Sequence, residues 1–144
     1  MSIWFQQLGL GQVADAVDRY LAAHLGIRVT GMGEDYLEGT MPVDDRTRMP
    51  LGLLHGGASC VLAESLASYA SYLCIDPARY GVVGLEINAS HLRGVPGGMV
   101  TGVCRPMRLG RSSHVWSIEI RDDRDRMVCI SRMTTAVRPL AEEG

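Results

Sequence analysis

Residues Gly56–Leu73 read as one long helix with too little polar surface to stand in water. Ala58, Val61, Leu62, Ser65, Leu66, Tyr69, Ala70 and Leu73 recur at helical spacing, and Glu64 is the only charged residue among the eighteen. A helix that is apolar nearly all round has to be covered, by a sheet wrapped around it or by a sheet on one side and a partner on the other. Asp76-Pro77 stops it, and a loop containing Pro50, Gly52, His55, Gly56 and Gly57 leads into it.

The flanking segments have the periodicity of strands. Tyr36–Val43 alternates, with Leu37, Gly39, Met41 and Val43 on one side. Val82–Leu92, Met99–Leu109, Ser113–Arg121 and Met127–Val137 follow the helix, separated by turns such as Pro96-Gly97-Gly98 and Asp122-Asp123-Arg124-Asp125. Turns that short cannot carry parallel crossovers, so the sheet is expected to be antiparallel. Pro106 predicts a bulge or an edge within its strand. Upstream, Gln12–Leu25 is amphipathic at helical spacing through Val13, Ala16, Val17, Tyr20, Leu21 and His24, and Gly26 is a plausible stop. The resulting order is a helix, two strands, the long helix and four strands, an α+β chain. At 144 residues, with no repeat or linker, it reads as one domain over 1–144, with the N-terminal helix at about 12–25 and the core at about 26–138.

A net charge of −2 gives no general attraction to nucleic acid or anionic membrane. All fourteen basic residues are arginine, so a Schiff-base lysine is excluded. Cys60, Cys74, Cys104 and Cys129 are widely spaced and form no CxxC pair, so no metal site is expected. The N-terminal residues lack the basic-then-apolar order of a signal peptide, and no apolar run reaches spanning length. These features read as a cytoplasmic protein with reduced thiols.

Gly56, Cys60, Glu64 and Ser68 fall four residues apart and share one small-and-polar stripe on the long helix. At its start, backbone N–H groups lack helical partners, and glycine there lets a ligand approach closely. A carboxylate on such a stripe is either a structural group bonded to a neighbouring chain or a base or nucleophile. Gly56-Gly57 is either a tight turn or an oxyanion-binding pair. Ser68 either bonds its own backbone or serves Glu64, and Cys60 reads as a small core residue rather than a nucleophile.

The chain resembles the hotdog fold, and within it the acyl-CoA thioesterase branch containing the aryl-CoA, 1,4-dihydroxy-2-naphthoyl-CoA and enterobactin-proofreading thioesterases. Met41-Pro42-Val43-Asp44 with Arg46-Thr47, Gly52-Leu53-Leu54-His55-Gly56-Gly57-Ala58-Ser59, Leu62-Ala63-Glu64-Ser65, Val83 to Ala89, His91-Leu92-Arg93, and Leu109-Gly110 with His114-Val115-Trp116 carry the resemblance. It implies an antiparallel sheet wrapped around the central helix and hydrolysis of acyl- or aroyl-CoA thioesters without a cofactor, coenzyme A being part of the substrate. Glu64 would act as general base or nucleophile, and the Gly56 N–H would polarise the carbonyl. His55 and Ser68 would complete the catalytic group, and Gly57 would stand beside it in substrate binding. His91 and Arg93, with Ser90, Arg111 and Ser112, would hold the nucleotide and phosphates of coenzyme A. Tyr69, Tyr72, Leu73 and Val83 either border an acyl pocket or fill core and interface.

One position departs from the branch. The residue before Pro50 is usually a glutamine that orients the thioester, and here it is Met49. Methionine cannot donate that hydrogen bond. The alternatives this leaves are a slower enzyme, a carbonyl site rebuilt around His55, or an altered substrate, and in a further class a weakly active acyl-CoA-binding protein. An acyl carrier protein is a second possible donor, since it presents the same phosphopantetheine arm. The resemblance further implies sites formed between protomers in a homo-oligomer, a tetramer built as a dimer of dimers.

Overall fold

The computed structural model describes residues 1–141. Six strands, β1 (Arg28–Met32), β2 (Leu37–Pro42), β3 (Tyr80–His91), β4 (Met99–Leu109), β5 (Ser113–Asp122) and β6 (Met127–Pro139), form one sheet in the order β1-β2-β4-β5-β6-β3. Every pairing is antiparallel. The long helix spans Gly56–Leu73 as expected and packs against β2 through β6, the hotdog arrangement. With the two helices that precede it, α1 (Leu10–Val17) and α2 (Tyr20–His24), it is numbered α3.

The core follows from the two periodicities meeting. Leu62, Leu66, Ala70 and Leu73 line the sheet-facing side of α3, and all are fully buried. Opposite them, alternate residues of the strands point inward: Leu37 and Met41 from β2, Val100 and Cys104 from β4, Trp116, Ile118 and Ile120 from β5. Two glycines set how closely the layers approach. A Cβ on Gly39 would stand 3.0 Å from Leu66 Cδ2, and one on Gly102 would stand 3.3 Å from Leu62 Cδ2. Pro106 lies at a bulge, between Pro106 and Arg108, in a central strand.

One polar knot lies within this core. The Trp116 Nε1–H donates to Ser71 Oγ at 2.6 Å, and Ser71 Oγ is 2.8 Å from Thr135 Oγ1, all three residues being buried. Ser71→Ala leaves the indole N–H and the threonine hydroxyl unpaired in an apolar interior. The expected loss is about 2–4 kcal/mol, read from urea unfolding midpoints, because buried polar groups that lose a partner bear their desolvation cost in full.

The N-terminal helix differs from expectation. It is two short helices, with a break at Asp18-Arg19. Asp18 Oδ1 accepts the Val29 N–H at 3.0 Å and ties the break to β1, and Tyr20 is held at φ +50°, a left-handed conformation costly for a bulky residue. Val13 and Val17 are buried as the periodicity implied, but Tyr20 and Leu21 are 82% and 58% exposed because the break turns them outward, and Ala22 is buried instead. The other feature invisible to periodicity is the edge. β3 pairs only with β6, and its Val83 and Leu85 are exposed, so its outer side presents an unpaired apolar strand.

Candidate active site

The loop before α3 is shaped by backbone bonds at its ends. Met49 N donates to Leu53 O at 2.7 Å, His55 N to Thr47 O at 2.7 Å and Leu54 N to Val95 O at 2.8 Å. His55 then caps the helix, its Nδ1 accepting the Gly57 N–H at 2.8 Å. That bond requires an unprotonated Nδ1, so in the neutral ring the proton resides on Nε2, which is left as a donor. The Gly56 N–H, one residue earlier, donates to nothing among the described residues. Two donors thus stand at the start of α3, where the helix dipole favours developing negative charge.

Beside them opens a cleft of about 530 Å³, lined by Met49, Leu53, His55, Gly56, His91 and Arg93 among others. Gly56 gives His91 room at the helix start. A Cβ in its place would stand 2.8 Å from His91 Nε2, so the imidazole packs this closely against the bare backbone and would have to shift for any larger residue. Met49 reaches the cleft, but its Sδ accepts the Leu51 N–H at 3.1 Å, and it brings no donor.

Glu64 lies two turns on, exposed on the same stripe of α3. It forms no hydrogen bond or ion pair among the described residues. A Cβ added to Gly84 would stand 3.2 Å from its Oε1, so the carboxylate rests over β3 where the register shifts between Gly84 and Glu86. Burial and the nearby Glu64 push the Cys60 thiol above its ordinary range, which leaves it protonated and unfit as a nucleophile.

The stripe is real, but its members do not converge within one chain. Eight residues of α-helix rise about 12 Å, so the Gly56 N–H and the Glu64 carboxylate cannot both reach one carbonyl from the same helix. Ser68 is also apart from Glu64. It lines a second, open cleft of about 450 Å³ with Ser65, Tyr69, Tyr72 and Val82, bordered by α2. In that cleft Val82, not Val83, faces inward, and Leu73 belongs to the core.

Of the remaining expected residues, His91 and Arg93 join the first cleft, with Gly57 tied to the His55 cap. Ser90 is exposed near the end of β3. Arg111 and Ser112 lie in the β4–β5 turn, where the Val137 N–H donates to Ser112 O. Arg111 borders a third cleft with Cys74, Asp76, Arg79 and His114, away from His91. Burial holds the His114 imidazole below its ordinary range there. Arg19 and Tyr20, which border the second cleft, had no signal in the sequence beyond an amphipathic helix that the fold breaks.

Comparison with known proteins accords with this geometry. A family model described as the thioesterase superfamily matches residues 51–129. The chain is 50% identical to the 1,4-dihydroxy-2-naphthoyl-CoA hydrolase of Escherichia coli K12 over 135 residues, covering 94% of this chain and 98% of that one. It is also 50% identical, over the same shares, to the proofreading thioesterase EntH of Cronobacter turicensis. Among solved structures, a mutant of the thioesterase PA1618 from Pseudomonas aeruginosa aligns with TM-score 0.93 at 50% identity, over 96% of this chain and 100% of that one.

Proposed function

The chain belongs to the thioesterase superfamily and is a thioester hydrolase; from that premise we propose that it cleaves acyl- or aroyl-CoA thioesters at a site shared by two protomers. One observation carries the shared site: an N–H at Gly56 and a carboxylate at Glu64, each unpaired among the described residues and about 12 Å apart on one helix. Pairing two copies through the open β3 edge runs their strands, and hence their α3 helices, in opposite directions. The start of one helix then meets the middle of the other, and Gly56 of one protomer faces Glu64 of the partner subunit.

In that arrangement the thioester carbonyl oxygen accepts from the Gly56 N–H and from His55 Nε2–H. Glu64 of the partner subunit either takes a proton from the attacking water or adds to the carbonyl carbon itself. When Glu64 acts as base, the C–S bond breaks, the thiolate of coenzyme A takes back the proton that Glu64 received, and the acid is released. When Glu64 adds, the C–S bond breaks to leave a mixed anhydride, which water then hydrolyses to the acid while giving its proton to the thiolate. Ser68 beyond Glu64 lies along the acyl group. The pantetheine arm runs through the first cleft, past Gly57, towards His91, Arg93 and Ser90. The Arg93 guanidinium at the mouth suits phosphate, and the opposite strand direction brings the partner's Arg111 and the partner's Ser112 to the same mouth. The reading asks for no cofactor. An acyl carrier protein would present the same arm to the same mouth, and the assembly it calls for is a homodimer or a pair of them.

The name of the Escherichia coli relative makes an aroyl ester the first substrate to try. Thiol release from benzoyl-CoA and a series of fatty acyl-CoA esters tests the reading, with Met49→Gln run beside the wild type. Restoring an amide donor at Met49 is expected to raise kcat/KM by about tenfold or more, the scale of one carbonyl-binding donor. Absence of turnover in both proteins with every ester and with an acyl-loaded carrier protein would leave a binding protein in place of the enzyme.

A further inference from the structure

The second cleft begins at Ser65, next to Glu64 in the chain, and runs along α3 to Tyr72, about 12 Å from Glu64 along the axis. Five hydroxyls border it, from Ser65, Ser68, Tyr20, Tyr69 and Tyr72, and none has a hydrogen-bond partner among the described residues. Burial and the neighbouring Tyr72 push the Tyr69 phenol above its ordinary range, so it remains a donor. Among the described residues, one charged side chain lines the cleft, Arg19, and no carboxylate does.

The fold places that arginine at a cost. Arg19 stands in the break between α1 and α2, its Nε donating to Asp15 O at 2.8 Å, and Nη1 and Nη2 donate to nothing among the described residues. The next residue, Tyr20, holds φ +50°, and its side chain is 82% exposed, so no burial of that side chain compensates the strained turn. The same turn, tied to β1 through Asp18 and seating Ala22 in the core, leaves Arg19 at the cleft. What it positions is one cation with a free pair of N–H groups beside an oxygen-binding wall.

We propose that this cleft is the acyl chamber and that Arg19 reads a second carboxylate on the acyl group, so that half-thioesters of dicarboxylic acids are the preferred substrates. The proposal rests on the thioesterase reading of Glu64. A carboxylate there meets the planar guanidinium through Nη1 and Nη2, and the hydroxyls bind its remaining lone pairs or ring oxygens between it and the thioester. An uncharged chain of equal length would leave the guanidinium and hydroxyls facing apolar atoms.

The test is kcat/KM for matched pairs: benzoyl-CoA against 4-carboxybenzoyl-CoA, and butyryl-, hexanoyl- and octanoyl-CoA against succinyl-, adipoyl- and suberoyl-CoA. The wild type is expected to favour the carboxylated member of at least one pair by about tenfold, the scale of a charge-assisted hydrogen bond. Arg19→Gln is expected to collapse that ratio to near unity, and Arg19→Lys to keep part of it. A wild type that turns over the neutral esters but prefers the carboxylated member of no pair overturns the proposal and leaves the enzyme reading intact, as does a preference that survives in Arg19→Gln. Turnover of no ester in either set overturns both.

Discussion

Glu64→Gln is expected to lower kcat on any accepted thioester by about a hundredfold to ten-thousandfold, the range for removing a positioned base, and further if the carboxylate is the nucleophile. The same substitution is expected to leave folding stability within about 0.5 kcal/mol, because the side chain is exposed in the protomer and lacks a hydrogen-bond or ion-pair partner among the described residues. Glutamine keeps the shape and removes only the charge, so substrate binding, read by titrating a CoA ester into the variant, should persist. Activity and unfolding therefore come apart, which a structural carboxylate bonded across an interface would not allow: its loss would weaken assembly and activity together. Cys60→Ala, one turn away, is the control. The Cys60 thiol is held protonated, so its removal should leave kcat within a few-fold of the wild type. A Glu64→Gln protein with wild-type turnover would remove Glu64 from the chemistry altogether.

The long helix was legible to the residue because three signals agree at its ends and along its length. The glycines open it, the apolar period continues through Leu73, and Asp76-Pro77 forbids continuation. β4 was legible for the same reason, bounded by a glycine turn on one side and Gly110 on the other. The N-terminal helix was not, since its period runs unbroken through Tyr20 and only a tertiary bond, Val29 N–H to Asp18 Oδ1, stops it. The site divided along a similar line. Met49, His55, Gly56, His91 and Arg93 gather in one cleft because the loop and the end of β3 both lie at the start of α3. Periodicity placed Gly56, Glu64 and Ser68 on one stripe correctly but is silent on distance along the stripe. Ser68 faces α2, Arg111 lies at another cleft, and Arg19 reaches the second cleft through a break that no local pattern announces.

That distance makes the strongest prediction a test in mixed oligomers. Gly56→Ala puts a methyl group where His91 Nε2 packs, 2.8 Å from the added carbon, and so disturbs the donor end of the site. Glu64→Gln disables the carboxylate end. Each homodimer has two damaged sites, and its own residual activity is the baseline against which the mixture is read. In a mixed dimer of the two variants, one site combines an intact Gly56 with an intact Glu64 of the partner subunit, and the other site has both defects. Equal amounts, unfolded and refolded together, pair at random into about half mixed dimers, each with one good site of two, so activity should rise to about a quarter of wild type. A site assembled within one chain predicts no rise, because every chain in the mixture carries a defect. The double variant, Gly56→Ala with Glu64→Gln in one chain, mixed with wild type separates the cases again. Its mixed dimers hold no good site if the halves come from different protomers and one good site if they come from the same one. About a quarter of wild-type activity in that second mixture therefore means a shared site, and about a half means a site within the chain.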